Sequence, residues 1–195
     1  MRIRTLAIVL ALFVASGVFV GCRKGPAGKE VLPPPKIVKK VPTEVNPLRK
    51  TYEAEELGKE MSKGQVTADP AASNQMALYI KPGDVKPTEY VIWGPYEEIA
   101  PGTYIARWRL KLDKVPNNSN PILSLDVSGH PKADAKNYKM LVSKNISKAD
   151  VPEPNKYYTF DIRFDVKEPF VFELRTQYLQ NSDVYIDWTS LELAQ

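Results

Sequence analysis

The chain has 195 residues, 43% of them hydrophobic, a net charge of +4 and one cysteine, Cys22. A lone cysteine excludes an internal disulfide framework and a cysteine-based metal cluster. The basic excess is unevenly placed, and its location excludes a nucleic-acid-binding domain once the segments are taken in order.

Arg2 and Arg4 lead an apolar run from Leu6 to Val20 broken only by Ser16 and Gly17, and Phe19-Val20-Gly21 precedes the thiol. A basic start, an apolar middle and a small-residue end over residues 1–21 are the parts of a secretory signal. The Phe19-Val20-Gly21-Cys22 stretch resembles a bacterial lipobox. That resemblance implies that Cys22 is lipidated, becomes the first mature residue and holds the protein to the cell membrane or outer membrane, facing outside the cytoplasm. The alternative is an uncleaved anchor: Thr5 to Gly21 is 17 uncharged residues, at the lower end of what spans a bilayer.

Residues 22–50 read as a lipidated cysteine followed by a disordered proline- and lysine-rich linker. Pro33-Pro34-Pro35 favours extended polyproline II, a semi-rigid spacer. Arg23, Lys24, Lys29, Lys36, Lys39, Lys40, Arg49 and Lys50 stand against Glu30 and Glu44 only. Leader and linker therefore carry the basic charge, and residues 51–195 are net acidic. The lysines either lie against anionic head groups or keep a solvated linker extended.

Residues 51–195 are the size of one domain. Their hydrophobic period is two. Tyr104, Ala106, Trp108, Leu110 and Leu112 alternate with Arg107, Arg109 and Lys111, and Phe170, Phe172 and Leu174 alternate with Val171, Glu173 and Arg175. Tyr158, Phe160, Ile162, Phe164 and Val166 keep the same rhythm. This pattern predicts strands buried on one face, near 51–57, 76–81, 89–98, 103–113, 121–128, 138–146, 156–166, 169–178 and 183–194. Turns are expected at Pro82-Gly83, Pro101-Gly102, Pro116-Asn117-Asn118, Gly129-His130-Pro131 and Asn181-Ser182-Asp183. Short strands at this spacing, without a convincing amphipathic helix, predict an all-β sandwich or barrel, the sandwich ahead of the barrel.

The domain opens with Tyr52-Glu53-Ala54-Glu55, carries Ala100-Pro101-Gly102-Thr103-Tyr104 in its middle and closes with Tyr185-Ile186-Asp187-Trp188-Thr189-Ser190-Leu191. This arrangement resembles carbohydrate-binding module families 6, 35 and 36, which are galactose-binding-like jelly rolls. The resemblance implies a jelly-roll β-sandwich, a glycan or cell-envelope polysaccharide as partner, and a structural calcium held by Glu53, Glu55 and Asp187. Two carboxylates two residues apart on a strand share a face about 6.6 Å apart and repel unless a cation, such as a six- to eight-coordinate calcium, neutralises them. The alternative is a solvated edge strand whose charge blocks pairing.

A sugar site needs flat aromatic faces and a few polar groups. The candidates are Trp93, Tyr96, Tyr138, Tyr178 and Asn181. Trp93 and Tyr96 flank Gly94-Pro95, a break where a ring can leave the sheet, while the alternative for any strand aromatic is the core. Catalysis finds no pattern: His130 is the only histidine, and no glycine-rich phosphate loop follows a strand. The expectation is a membrane-anchored, non-enzymatic glycan binder. The other reading is a lipoprotein that uses the same fold to dock another envelope protein.

Overall fold

The computed structural model describes residues 49–58, 60–179 and 182–194. The leader, Cys22, the linker as far as residue 48, and Asn181 lie outside the described residues. Among the described residues, no helix is long and apolar enough to cross a membrane.

In chain order the strands are β1 (Arg49–Glu53), β2 (Gln65–Ala68), β3 (Met76–Ile80), β4 (Tyr90–Ile92), β5 (Pro95–Ile99) and β6 (Gly102–Leu112). They continue as β7 (Leu123–Pro131), β8 (Lys139–Ile146), β9 (Tyr158–Val166), β10 (Phe170–Tyr178) and β11 (Val184–Leu193). One sheet runs β2-β3-β11-β6-β9, with β1 also paired to β11; the other runs β4-β10-β7-β8, with β5 also on β10. The ladders are antiparallel. After β3 the chain changes sheet repeatedly: β4 and β5 lie in the second, β6 in the first, β7 and β8 in the second. It then places β9 in the first, β10 in the second and β11 in the first. That exchange between two antiparallel sheets is the jelly-roll sandwich.

The period-two pattern explains the core. Burial alternates along β6 and β9, and Trp108, Leu110, Phe172, Leu174, Leu125 and Ile186 are wholly enclosed. Apolar residues on one face of each sheet have only the other sheet to cover them, and removing their area from water is the main stabilising term.

Four expectations need correction. Arg49 and Lys50, assigned to the linker by charge, belong to β1: the Arg49 guanidinium lies over the Trp188 ring at 4.8 Å, and Lys50 pairs with Glu97 at 2.5 Å. The opening strand stops at Glu53, because Ala54–Glu56 coil into a 3-10 turn. Residues 89–98 are two strands, divided at the cis Gly94-Pro95 peptide. Gly129-His130-Pro131 is not a turn but the end of β7, paired with Val171 and its neighbours on β10. Gly129 has φ of 149°, and a Cβ there would come within 2.0 Å of the Val171 carbonyl oxygen, so only glycine lets the two strands approach. One strand was missed. β2 has four residues, pairs only with β3, and leaves Val66 exposed, so it shows no buried period to detect.

Candidate functional site

The inward phase of β10 takes Phe170, Phe172, Leu174, Thr176 and Tyr178; the outward phase takes Val171, Glu173, Arg175 and Gln177. Register then fixes their neighbours: Glu173 faces Ser128, and Arg175 faces Asp126 on β7. The β10–β5 ladder shifts between Phe172 and Glu173, and the β7–β8 ladder shifts between Val127 and Ser128. Two irregularities thus flank one spot on the outer face of the second sheet, the kind of feature that re-aims side chains at binding sites.

Tyr96 and Tyr138 stand over this spot, 53% and 45% exposed. Tyr96 follows the Gly94-Pro95 break with φ of 63°. A non-glycine residue in the left-handed region costs on the order of 1 kcal/mol or more, and such residues concentrate at ligand sites. Tyr138 precedes β8 and donates its hydroxyl to Glu173 Oε1 at 2.9 Å. Arg175 Nη1 donates to the same hydroxyl oxygen at 3.0 Å, while its Nε donates to Asp126 Oδ1 at 2.8 Å. Ser128 Oγ also donates to Asp126 Oδ1, at 2.7 Å. The guanidinium lies over the Tyr90 ring at 4.3 Å and over the Tyr138 ring at 5.7 Å.

The floor is therefore polar but covered: Asp126 and Glu173 are buried although they point away from the core. Burial, reinforced by the Glu173 carboxylate, pushes the Tyr138 hydroxyl up to about 12. Burial likewise raises Tyr96, with Glu173 adding to it. Burial works against the charge on Arg175, yet its bond to Asp126 holds the guanidinium above its ordinary value. Both rings therefore stay neutral phenols over fixed charges, giving flat apolar faces beside hydrogen-bonding groups. This is what a pyranose ring requires.

The other candidates fall elsewhere. Trp93 is half-buried between β4 and β5, with its backbone N–H donating to Met61 O at 3.0 Å. Tyr178 is a correction: its side chain shares the inward phase with Phe172 and Leu174 and is fully enclosed. Its hydroxyl donates to Ser182 O at 2.9 Å and accepts from Ser182 N at 2.8 Å, so it closes the approach to β11 and cannot meet a ligand. Tyr90, Asp126, Ser128, Glu173 and Arg175 were missed as site residues. The outward alternation of Glu173 and Arg175 was visible in the sequence, but the register that sets Asp126 beside them was not.

Of the three candidate metal ligands, Glu53 and Asp187 meet through Ser73, while Glu55 lies in the 3-10 turn after β1 and not two residues along one strand. The β6–β11 ladder shifts between Ile186 and Trp188, so Asp187 sits at an irregularity that turns its carboxylate aside. Asp187 is fully buried, pairs with the Arg109 guanidinium, and accepts from Ser73 N at 3.0 Å and Ser73 Oγ at 2.8 Å. Ser73 Oγ also donates to Glu53 Oε2 at 3.1 Å. Burial raises Glu53; the Ser73 bond opposes that, while Glu55, Asp187 and Glu56 add to it by repulsion. Both carboxylate oxygens of Glu55 are buried with no hydrogen-bond partner. An orphaned buried carboxylate beside a second, destabilised one is an arrangement a hard cation completes. Among the described residues no three His, Cys, Asp or Glu side chains form a metal group by themselves, so backbone carbonyls would have to complete the shell. Arg109 already balances part of the Asp187 charge.

No protein-family model matches the chain, and no curated protein matches it. Among solved structures, the chain is similar to the C-terminal family 6 carbohydrate-binding module of a laminarinase from Zobellia galactanivorans. Identity is 13% over 74% of this chain and 98% of that one, with a TM-score of 0.47. It is also similar to a family 6 module from a Cellvibrio mixtus lichenase, solved with cellotriose: 11% identity, 75% and 98% coverage, TM-score 0.46. A xylan-binding family 22 domain from Paenibacillus barcinonensis gives 12% identity, 75% and 94% coverage, and a TM-score of 0.44.

Proposed function

We propose that this protein is a non-catalytic glycan-binding lipoprotein, anchored through Cys22 outside the cytoplasm, whose ligand lies across Tyr96 and Tyr138 on the outer face of the second sheet. The observation that carries the reading is the pair of exposed rings set over a fixed Glu173–Arg175–Asp126 floor. Exposed aromatic side chains on a soluble surface bear an unfavourable hydration cost that a sugar face relieves, and the floor supplies donors and acceptors for its hydroxyls. Asp126 is held by Arg175 and Ser128, so it orients the floor rather than acting as a nucleophile.

The test is a glycan array probed with the full chain, followed by titration of any hit. Tyr96→Ala and Tyr138→Ala should each weaken binding by about tenfold or more, since base- or ring-stacking on one aromatic contributes roughly 1–3 kcal/mol. Tyr96→Ala should leave the melting temperature nearly unchanged, within about 0.5 kcal/mol of stability. Tyr138→Ala also takes the hydroxyl from the buried Glu173 carboxylate and should cost about 1–3 kcal/mol without unfolding the domain. Binding that survives the double variant sinks the assignment of the site.

Calcium belongs to the same proposal. Glu53, Glu55 and Asp187 would hold it, and it would neutralise the acidic group that joins the end of β1 to β11. Added calcium should then raise the melting temperature over EDTA-treated protein, by an amount equivalent to about 2.7 kcal/mol at roughly 100-fold excess over Kd. Glu55→Gln should remove most of that gain. Identical melts with calcium and with EDTA would overturn it.

A further inference from the structure

Resting on the reading of the Tyr96–Tyr138 face as a glycan site, we propose that the glycan carries a protonated amine: an unacetylated amino sugar positioned at Glu173. Three observations lead there. First, Glu173 is 6% exposed and its carboxylate is met by the Tyr138 hydroxyl, not by a cation. Second, the nearest guanidinium on the same strand, Arg175, is committed to Asp126 at 2.8 Å and to Tyr138 at 3.0 Å, and forms no ion pair with Glu173. Third, the floor holds two carboxylates, Asp126 and Glu173, against one guanidinium, so it keeps an excess negative charge beneath aromatic faces.

A buried carboxylate satisfied only by hydroxyl donors is left short of charge compensation. An ammonium group supplies it twice over, through a charge-assisted hydrogen bond to Glu173 and through the faces of Tyr96 and Tyr138. The same excess charge repels a uronate or a sulfated sugar. An N-acetyl group removes the amine's charge and leaves Glu173 as it was. The floor therefore selects among glycans by charge, independently of the hydroxyl pattern that any pyranose site reads.

The experiment titrates the full-length protein with three probes: glucosamine oligomers, their fully N-acetylated counterparts and oligogalacturonates of equal length. The amine form should bind about tenfold tighter than the acetylated form at low ionic strength. That advantage should shrink as salt is added, and the uronates should not bind. Glu173→Gln, which keeps the shape and the Tyr138 bond, should bring the amine and acetylated forms to equal affinity, whatever loss the two forms share. Melting of the variant checks that it folds; should it not, Tyr138→Phe, which removes a Glu173 donor and keeps the ring face, must keep or enlarge the preference, and its loss there would overturn the inference. Equal binding of amine and acetylated forms, or a preference unchanged in Glu173→Gln, overturns the inference and leaves the glycan site standing. Failure of every sugar to bind overturns both.

Discussion

Asp183 shows how single residues fasten the entry to β11. It is 3% exposed, accepts the Tyr79 hydroxyl at 2.5 Å and pairs with Lys114 Nζ at 3.1 Å. Burial opposes its charge, but Tyr79 and Lys114 outweigh that and hold its carboxyl below the usual carboxylate range. Its folded pKa is thus depressed relative to the unfolded chain. The stability it contributes is complete above the ordinary aspartate range and is lost as pH falls through that range toward the folded value. Tyr79→Phe should therefore destabilise the protein at neutral pH by about 1–3 kcal/mol, the worth of a hydrogen bond to a charged group. The gap from the parent should narrow as pH falls. Urea unfolding at a series of pH values reads both, and a gap constant across pH would show that Tyr79 acts through packing alone. A residue pair of this kind is hard to read from sequence, because nothing in the spacing of Tyr79 and Asp183 announces that β3 and β11 are neighbours. The stacked Tyr79–Tyr185 rings, 4.7 Å apart, belong to the same hidden pairing.

Strands were far easier to read than their partners. β6 and β9 are long and strictly alternating and β10 nearly so, so the period located them and also told which side faces the core. The signal failed where the backbone departs from regularity. β2 is too short to show a period, and the Gly129 turn signal was a close strand approach instead. Glycine is ambiguous in this way, because the same missing side chain serves a turn or a tight contact. Gly129→Ala separates the two uses. A Cβ would sit 2.0 Å from Val171 O and 2.7 Å from Phe170 Cε1, in a backbone conformation with φ of 149°. The substitution should cost about 2–4 kcal/mol, beyond the ordinary range for a surface turn. A loss below about 0.5 kcal/mol by chemical denaturation would mean that β7 and β10 can separate there freely. The site shared this fate: Tyr96 and Tyr138 were legible as ring candidates, but the floor beneath them depends on the β7–β10 register, whereas Tyr178 continues the inward phase that Phe170, Phe172 and Leu174 had already set.

At the scale of the molecule, charge and composition put the linker at 22–50 and the domain at 51–195, whereas the first described strand already takes in Arg49 and Lys50. The basic residues concentrate before the domain, and Arg49 and Lys50 mark where that stretch is taken into the fold. Sequence could not show this, since the same two side chains serve a linker or an edge strand until Trp188 and Glu97 appear beside them. The proposed membrane attachment through Cys22 makes its own prediction. Cys22→Ser should leave the domain folded, with unchanged melting, and release it from membranes or arrest it at precursor size. Cell fractionation with immunoblotting decides this, and a variant that still sediments with membranes at the parental mature size would refute lipidation at Cys22.

The pairing of β1 with β11 carries a mechanical consequence. Whatever pulls on the chain ahead of the domain reaches it through Arg49, and the first joint loaded is the five-residue ladder from Arg49 opposite Glu192 to Glu53 opposite Trp188. The tyrosine face lies on the other sheet, and besides the route through β11 and the core, the Lys50–Glu97 pair links β1 directly to β5, which carries Tyr96 and pairs with β10. At the far end of that joint Ser73 bridges Glu53 and Asp187, while Glu55, Asp187 and Glu56 repel Glu53 and weaken the seam. A cation at Glu53 would act as a rivet where the seam ends, so the load that β1 can bear would depend on the ions around it.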